Sequence, residues 1–401
     1  MDGHTDPELW QRGWRPETHL VRGGTERSHH GETSEALYLN SGFVYDSAEL
    51  AEARFKGDAD GFIYSRYGNP TVAMFEKRMA LLEEAGACFA TASGMSAVFA
   101  ALAAQLKVGD HVVAARALFG SCHVILTEIL PRFGVETTLV DGSDLAQWEA
   151  AVRPETAVVF FETPANPTLE LIDIAAVAEI AHRAGAQVVV DNVFSTPLLQ
   201  KPLKLGADIV VYSGTKHIDG QGRCLGGAVL SDRAFRDDVL EPFLRHTGPA
   251  LSPFNAWVLL KGLETLSLRV ERHCRSARTI ADLLAAHPKV AQVLYPGRPE
   301  HPQFELAQKQ MADGGSVVSF ELTGGKAAAF RLLNALQLID ISNNLGDAKS
   351  LITHPATTTH RAMGPEGRAR MGVTNGMVRV SVGLEDAGDL TNDLARGLSR
   401  A

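Results

Sequence analysis

The stretch DIVVYSGTK, residues 208–216, is a short apolar run that ends in small hydroxyl residues and a lysine. A second run, AQVVVD at residues 186–191, ends in an aspartate 25 residues earlier (216 − 191 = 25). Short runs that are apolar on both faces are typical of strands buried in a parallel sheet. The spacing is about one strand-helix-strand unit, and ligands bind beyond the carboxyl ends of such strands. We therefore expect Asp191 and Lys216 to meet in one crevice.

The same alternation extends on both sides of these runs. Further apolar runs are VVAA from Val112 and TAVVFFE from Thr156. Amphipathic stretches between the runs predict helices at residues 73–84, 96–106, 122–133 and 174–184. The pattern predicts an α/β fold, with a mainly parallel sheet covered on both faces by helices.

Three domains are predicted along the chain. Residues 1–60 lack a hydrophobic period and are interpreted as an extended arm that a partner surface orders. Residues 61–250 hold the large domain, and residues 251–401 a smaller α+β domain. The smaller domain is predicted from one helical stretch and three strand-like runs, at residues 256–286, 290–295, 316–322 and 378–383.

Composition excludes several classes of function. The net charge is −9 and the pI about 5.9, whereas a nucleic-acid partner requires a basic face. No run of about 18 apolar residues predicts a membrane span. Residues 1–14 are polar, unlike a signal peptide. The cysteines form no CxxC pair, which favours reduced, mostly buried thiols in a cytoplasmic protein over a disulfide framework or a metal site.

Four features could carry chemistry. Lys216 could act as a nucleophile toward a carbonyl, or could be a surface lysine on a loop. Asp191 could hold a proton on a pyridine nitrogen, or could be only a helix cap or turn residue. The turn ASGMS from Ala92 could bind phosphate at a helix N-terminus, or could be an ordinary cap. Arg379 could bind a carboxylate or form a structural ion pair. Together these features predict a site for pyridoxal 5'-phosphate (PLP).

The chain resembles the Cys/Met-metabolism family of PLP enzymes from about Thr18 to its C-terminus. The motifs that carry this resemblance are YSRYGNPT from Tyr64, ASGMSA from Ala92, ETPANP from Glu162, DNVF from Asp191, YSGTKHIDGQG from Tyr212 and VRVSVGLE from Val378. The resemblance implies the aspartate-aminotransferase-like fold type I of PLP-dependent transferases, with a mainly parallel sheet of the seven-stranded type. It also implies a homo-oligomer, a tetramer built as a dimer of dimers.

The resemblance further implies roles for individual residues. Lys216 would carry PLP as a Schiff base, and Asp191 would pair with the pyridine nitrogen. The residues expected to hold the phosphate are Gly94, Met95, Ser213 and Thr215, with Tyr64 and Arg66 reaching across to the phosphate of a neighbouring subunit. The substrate carboxylate is assigned to Arg379, helped by Asn166. Asn344 lies where many relatives have serine and is expected to keep a backbone contact with the substrate.

One departure from the family concerns the residue that stacks on the cofactor ring. Many relatives have tyrosine there, whereas this chain has Phe119 in the stretch ALFGS from Ala117. Phenylalanine can stack but cannot transfer a proton, so more proton transfer is expected of Lys216. Phe119, with DGQGRCLGG from Asp219 and SNNLGDAKSLITHPATTTH from Ser342, is most similar to the O-succinylhomoserine sulfhydrylases.

The expected reaction replaces the succinyl group of O-succinylhomoserine by sulfide. An O-acetylhomoserine sulfhydrylase, a cystathionine γ-synthase and a γ-lyase remain alternatives on the same site. The sequence does not choose among Arg54, Arg116 and Arg361 as the cation for the succinyl carboxylate. From other classes, the alternatives are a PLP-binding protein without catalysis and a Rossmann dehydrogenase; for the latter, no GxGxxG follows an early strand.

Overall fold

A seven-stranded sheet forms the centre of the large domain. The computed structural model describes residues 13–401. The strands are β1 (Ala87–Thr91), β2 (His111–Ala115), β3 (Glu136–Val140), β4 (Thr156–Glu162), β5 (Gln187–Asp191), β6 (Ile209–Ser213) and β7 (Gly227–Ser231). Their order is β1-β7-β6-β5-β4-β2-β3, and only β7 runs antiparallel to its neighbours. The prediction of a mainly parallel sheet is confirmed.

Both faces of this sheet are buried, as its apolar runs predict. Along β4, Val158 and Phe160 pack into one hydrophobic cluster, whereas Val159 and Phe161 pack into the cluster on the opposite face. Successive side chains of a strand point to opposite faces, so a strand covered on both faces has no polar side to display.

Helices alternate with the strands and cover both faces. The α-helices are Pro16–Arg22, Ala48–Lys56, Pro70–Glu83, Gly94–Ala103, Gly120–Val124, Leu145–Ala151, Ile174–Arg183, Thr196–Leu199, Glu241–Thr247, Pro253–Leu263, Leu266–Ala285, Phe304–Gln310, Gly325–Ala335, Gly364–Arg370 and Ala387–Arg400. Short π-helices occupy Ile125–Ile129 and Phe235–Leu240, and 3-10 turns occupy Leu130–Phe133, Pro202–Leu205, Pro355–Thr357 and Arg361–Met363.

A second sheet of five strands lies in the C-terminal part of the chain. Its strands are β8 (Val290–Leu294), β9 (Val317–Leu322), β10 (Asp340–Ile341), β11 (Leu351–Thr353) and β12 (Met377–Ser381), in the order β10-β11-β12-β9-β8. Every pair is antiparallel except β10 with β11. The predicted α+β character is confirmed, although the domain bounds 1–60, 61–250 and 251–401 stay a prediction.

The structure departs from the predicted elements in two places. The helix predicted over residues 122–133 is an α-helix only to Val124, then becomes a π-helix and a 3-10 turn. The single helical stretch predicted over 256–286 is two helices, because the first ends at Leu263 and the second begins at Leu266. Hydrophobic periodicity does not distinguish these helix types, since all of them return a side chain to the same face every three to five residues.

The extended arm predicted for residues 1–60 is wrong in part, because Pro16–Arg22 and Ala48–Lys56 are helical. The arm is also fixed to its own chain at Glu35. The buried Glu35 carboxylate accepts hydrogen bonds from Arg78 Nη2 and Lys261 Nζ. Trp257 Nε1 donates to the Glu35 carbonyl at 3.0 Å. Residues 1–12 of the predicted arm lie outside the described residues.

We expect Glu35→Gln to lower the free energy of unfolding by about 3–5 kcal/mol at neutral pH, because buried Arg78 then loses its charged partner. Burial alone would raise the pKa of Glu35, but hydrogen bonds from Lys261 and Arg78 lower it from 4.5 to about 2. A depressed pKa stabilises the fold above the unfolded value, so the difference between wild type and variant should vanish as pH falls from about 4.5 toward 2.

Denaturant titrations at several pH values would measure this difference. The matched control is Glu52→Gln, which removes an exposed pair with Lys56 and should change stability by less than about 1 kcal/mol. Equal effects of the two substitutions would contradict the role of Glu35.

No helix within residues 13–401 is long and apolar enough to cross a membrane. The same residues contain no group of three or more His, Cys, Asp or Glu side chains arranged for a metal ion. Cys88, Cys122 and Cys274 are buried free thiols and Cys224 is half-buried, which confirms the predicted burial of most cysteines.

Candidate active site

The carboxyl ends of β4, β5 and β6 bring the predicted residues together. Glu162, the last residue of β4, pairs in register with Asp191, the last residue of β5, and Lys216 follows β6 in the next loop. The predicted residues that line one cleft at this edge are Gly94, Met95, Phe119, Asn166, Asp191, Ser213, Thr215, Lys216 and Arg379. They come from both predicted domains, since Arg379 lies on β12.

Lys216 is half-buried in the cleft, so it is not the exposed loop lysine of the alternative interpretation. Its Nζ donates to Asn344 Oδ1 at 2.6 Å. Burial and the neighbouring Arg379 charge lower its pKa to about 8, against the opposing effect of Asp191. A lysine with this pKa supplies a neutral amine near neutral pH far more readily than an exposed one.

Asp191 lies buried opposite this lysine. The following helix begins at Thr196 with Ser195 as its cap, so Asp191 is not a helix cap. Its Oδ1 accepts the Val193 N–H at 3.0 Å, the contact of a turn residue. Burial raises its pKa to about 7, whereas the Val193 N–H and Lys216 oppose the rise. A protonated pyridine nitrogen would supply the cation that a buried carboxylate needs.

The turn after β1 suits an anion. Ser93 caps the helix Gly94–Ala103, with the Ser96 N–H donating to Ser93 Oγ at 3.1 Å, so the cap interpretation is correct as well. A Cβ at Gly94 would lie 2.6 Å from Ser213 Cβ, which only glycine avoids. This close approach places the helix N-terminus beside the Ser213 hydroxyl, and both favour negative charge. The residues therefore fit the phosphate of PLP.

Arg379 is fully buried and forms no ion pair within 4.0 Å among residues 13–401. Its partners are neutral: Nη1 donates to Asn166 Oδ1 at 2.8 Å, and Nη2 donates to the carbonyls of Asn343 and Asn344 at 2.9 and 3.2 Å. Its Nε has no hydrogen-bond partner within the described residues. Burial lowers its pKa to about 10, whereas Glu162 opposes the shift. The arrangement leaves a charged donor for a substrate carboxylate.

Glu162 has a positioning role that sequence reasoning missed, although the motif ETPANP begins with it. Its Oε2 accepts the Phe119 N–H at 3.0 Å, and its Oε1 accepts the Asn166 N–H at 2.9 Å. Burial and the neighbouring Asp191 raise its pKa well above the ordinary value, despite these N–H groups and Arg379. Two further residues of the cleft, Asn343 and Thr359, were also missed. They lie outside regular helices and strands, in the stretch from Ser342 that carries the family resemblance, but no role was assigned to them there.

Tyr64 and Arg66 do not line the cleft of their own chain. Tyr64 is 42% exposed. Arg66 Nη1 donates to the Arg245 carbonyl, and its guanidinium lies 4.7 Å from the centre of the Tyr67 ring. Their predicted contact with the phosphate of a neighbouring subunit stays a prediction.

The Asn344 side chain is expected to tune Lys216. Asn344→Asp places a carboxylate where an amide oxygen accepts from Lys216 Nζ, and negative charge raises the pKa of Lys216 above its value of about 8. Because the neutral amine then forms only at higher pH, the acidic limb of the kcat profile should move upward by about one pH unit. Asn344→Ala, which adds no charge, is the control and should give no upward shift. Superimposable profiles for the three proteins would refute this coupling.

The fold and this cleft define a PLP-dependent enzyme of fold type I. A family described as Cys/Met metabolism PLP-dependent enzyme matches residues 17–399, and the chain belongs to this family. It is 62% identical over 383 residues to an O-succinylhomoserine sulfhydrylase of Mycobacterium tuberculosis, covering 94% of each chain. It is 49% identical to an O-succinylhomoserine sulfhydrylase of Pseudomonas aeruginosa, covering 99% of this chain and 98% of the relative.

A solved structure from Campylobacter jejuni has the same fold. That protein, assigned as an O-acetylhomoserine (thiol)-lyase, is 32% identical, with a TM-score of 0.93 over 96% of this chain and 100% of its own. It holds N'-pyridoxyl-lysine-5'-monophosphate. The predicted fold class, the family and PLP as cofactor are thereby confirmed.

Proposed function

We propose that the enzyme catalyses γ-replacement on O-succinylhomoserine, in which sulfide displaces succinate to give homocysteine for methionine biosynthesis. The observation that carries the proposal is the 62% identity, over 94% of both chains, to an O-succinylhomoserine sulfhydrylase. The matched region spans 94% of this chain, whereas the cleft draws on residues 93–379.

The residues of the cleft divide the work. When bound, PLP supplies an electron sink that stabilises negative charge at the substrate Cα. Asp191 holds a proton on the pyridine nitrogen and so maintains that sink. Arg379 binds the substrate α-carboxylate through its fork of donors and orients Cα toward Lys216. Lys216, with its pKa lowered to about 8, removes one proton from Cα and one from Cβ, and returns a proton to each carbon after sulfide has added at Cγ.

Phe119 cannot take part in proton transfer, which leaves these steps to Lys216. It lines the cleft beside Met95 and Asn166 and offers a ring for stacking. Its side chain carries no hydroxyl, so no proton can pass through it. Departure of succinate and addition of sulfide at Cγ therefore depend on one amine that changes its protonation state several times in each turnover.

A matrix of substrates tests the proposal. The purified protein, loaded with PLP, is given the succinyl, acetyl and phosphoryl esters of homoserine, each with sulfide or with cysteine. Homocysteine from the succinyl ester and sulfide, at the highest kcat/KM, supports the proposal. Preference for the acetyl ester would indicate an O-acetylhomoserine sulfhydrylase, and preference for cysteine a cystathionine γ-synthase. Turnover of methionine or homocysteine alone would indicate a γ-lyase, and no turnover a binding protein without catalysis.

We also infer that the enzyme is a cytoplasmic homotetramer assembled from dimers. Its free cysteines, three of them buried, suit a reducing compartment. The segment that leads to Tyr64 exposes large apolar side chains, Leu39 at 68% and Val44 at 93%, which favours burial against a second copy. In this arrangement Tyr64 and Arg66 complete the phosphate site of the neighbouring subunit.

Subunit complementation provides the test of this sharing. Arg66→Ala and Lys216→Ala should each lower activity severely as homo-oligomers. In a hybrid dimer, one site receives both substitutions and the other receives neither, so mixing and reassembly should restore activity. No recovery, with hybrids demonstrated by differential tags, would contradict a site shared between subunits.

A further inference from the structure

A second cavity adjoins the cleft. We call it the outer cavity. It shares three residues with the cleft and adds cations and an imidazole of its own: Phe119, Asn343, Thr359, Arg116, Arg370 and His123. Arg379 lines only the cleft, whereas Arg116 lines only the outer cavity of the two. A substrate with a carboxylate at each end could therefore span from one to the other.

Arg116 is held at this junction by the fold. It directly follows β2, at the same sheet edge as Glu162 and Asp191, and stands three residues before Phe119. Its backbone N–H donates to the Val140 carbonyl at 2.8 Å, which fixes the position of its backbone. Its side chain is half-buried and takes part in none of the ion pairs within 4.0 Å or side-chain hydrogen bonds found among residues 13–401.

The acidic residues around Arg116 leave its guanidinium donors available for a carboxylate ligand. Arg116 also lines a further cavity, to which Asp141 and Glu170 contribute. Burial and Asp141 raise the pKa of Glu170, and Arg116 opposes that rise from beyond 4.0 Å. Within the outer cavity the acids are Glu128 and Glu366. No acid contacts the guanidinium closely enough to compete with a bidentate carboxylate.

The other two arginines considered from the sequence are less well placed. Arg361 is exposed and lines neither the cleft nor the outer cavity. Arg54 is already engaged within its own chain, since its Nη1 donates to the Phe62 carbonyl at 3.4 Å and its guanidinium lies 5.5 Å from the centre of the Tyr45 ring. We propose that Arg116 binds the terminal carboxylate of the succinyl group and so selects the dicarboxylic ester. This assignment rests on the proposed function.

The test compares two esters on one variant. Arg116→Gln keeps length and polarity but removes the charge and the fork. We expect kcat/KM for O-succinylhomoserine to fall about 10- to 100-fold, the loss of one or two charge-assisted hydrogen bonds, mainly through KM. O-acetylhomoserine lacks the terminal carboxylate, so its kcat/KM should change by less than about threefold. Product inhibition by succinate should weaken in parallel.

Matched variants separate the possible failures. Arg361→Gln is the control and should leave both esters unchanged. A loss in Arg370→Gln but not in Arg116→Gln would move the carboxylate site to Arg370 and overturn the assignment. An equal loss for both esters in Arg116→Gln would likewise overturn it, as it would indicate a structural role. If the wild type does not use the succinyl ester at all, the proposed function fails, and this assignment fails with it.

Discussion

Lys216→Ala is expected to lower kcat by about 10⁴-fold or more, because one amine serves every proton transfer in the cleft and each assisted transfer contributes about 10²–10⁴-fold. The two other carboxyl groups of the cleft do not replace the amine, because Asp191 is committed to the pyridine nitrogen and both oxygens of Glu162 accept backbone N–H groups. The phosphate site at Gly94 and Ser213 does not depend on the lysine, so the variant should still bind PLP noncovalently.

Two measurements accompany the rate. Borohydride should fix the cofactor covalently to Lys216 in the wild type, identified by mass spectrometry, and to no residue in the variant. Lys107→Ala, at an exposed position before β2, is the matched control and should retain full activity. Substantial homocysteine synthesis by Lys216→Ala would refute the assignment of the catalytic lysine.

Asp191→Asn should lower kcat/KM by about 10²- to 10³-fold, since breaking a buried charge pair costs about 3 kcal/mol or more. The amide keeps the shape and the contact with the Val193 N–H but carries no charge to hold a proton on the pyridine nitrogen. Burial already raises the pKa of Asp191 to about 7, so the carboxylate remains charged only while a cation lies beside it. The substitution removes that mutual stabilisation.

The accompanying readout is the visible absorbance of the lysine-bound cofactor, whose pH dependence should change in Asp191→Asn. Asp191→Glu, which keeps the charge, should recover part of the activity. Asp144→Asn is the control, since Asp144 caps the helix Leu145–Ala151 and does not line the cleft. Wild-type rates in Asp191→Asn would exclude a pairing with the cofactor nitrogen.

Much of this site was predictable because its main residues stand at strand ends. Asp191 and Lys216 follow apolar runs that had to be buried strands, and parallel neighbours present their carboxyl ends at one edge. The phosphate turn was predictable from a small-residue helix start at Gly94. Roles for Arg379 and Asn166 came from the family resemblance, and the structure joins them by a 2.8 Å hydrogen bond.

The rest depends on contacts between distant parts of the chain. β3 is mostly half-exposed, and β1 and β7 are five-residue strands with one β-branched residue each, so their sequences carry little strand signal. The junction between Phe119, Glu162 and Asn166 joins two loops through backbone N–H groups, which every residue has. The ion pair between Glu35 and Arg78 spans 43 residues without any local pattern.

The Glu162 carboxyl group accepts hydrogen bonds from the backbone of both Phe119 and Asn166, and Asn166 in turn accepts one from Arg379. We therefore expect the two walls of the cleft to move together. A substitution that displaces Phe119 should also displace Asn166 and, through its hydrogen bond, the Arg379 guanidinium. If selection for a different sulfur nucleophile changed the position of Phe119, the affinity of Arg379 for the substrate α-carboxylate would change at the same time. Specificity for the nucleophile and affinity for the amino-acid substrate are therefore expected to evolve together.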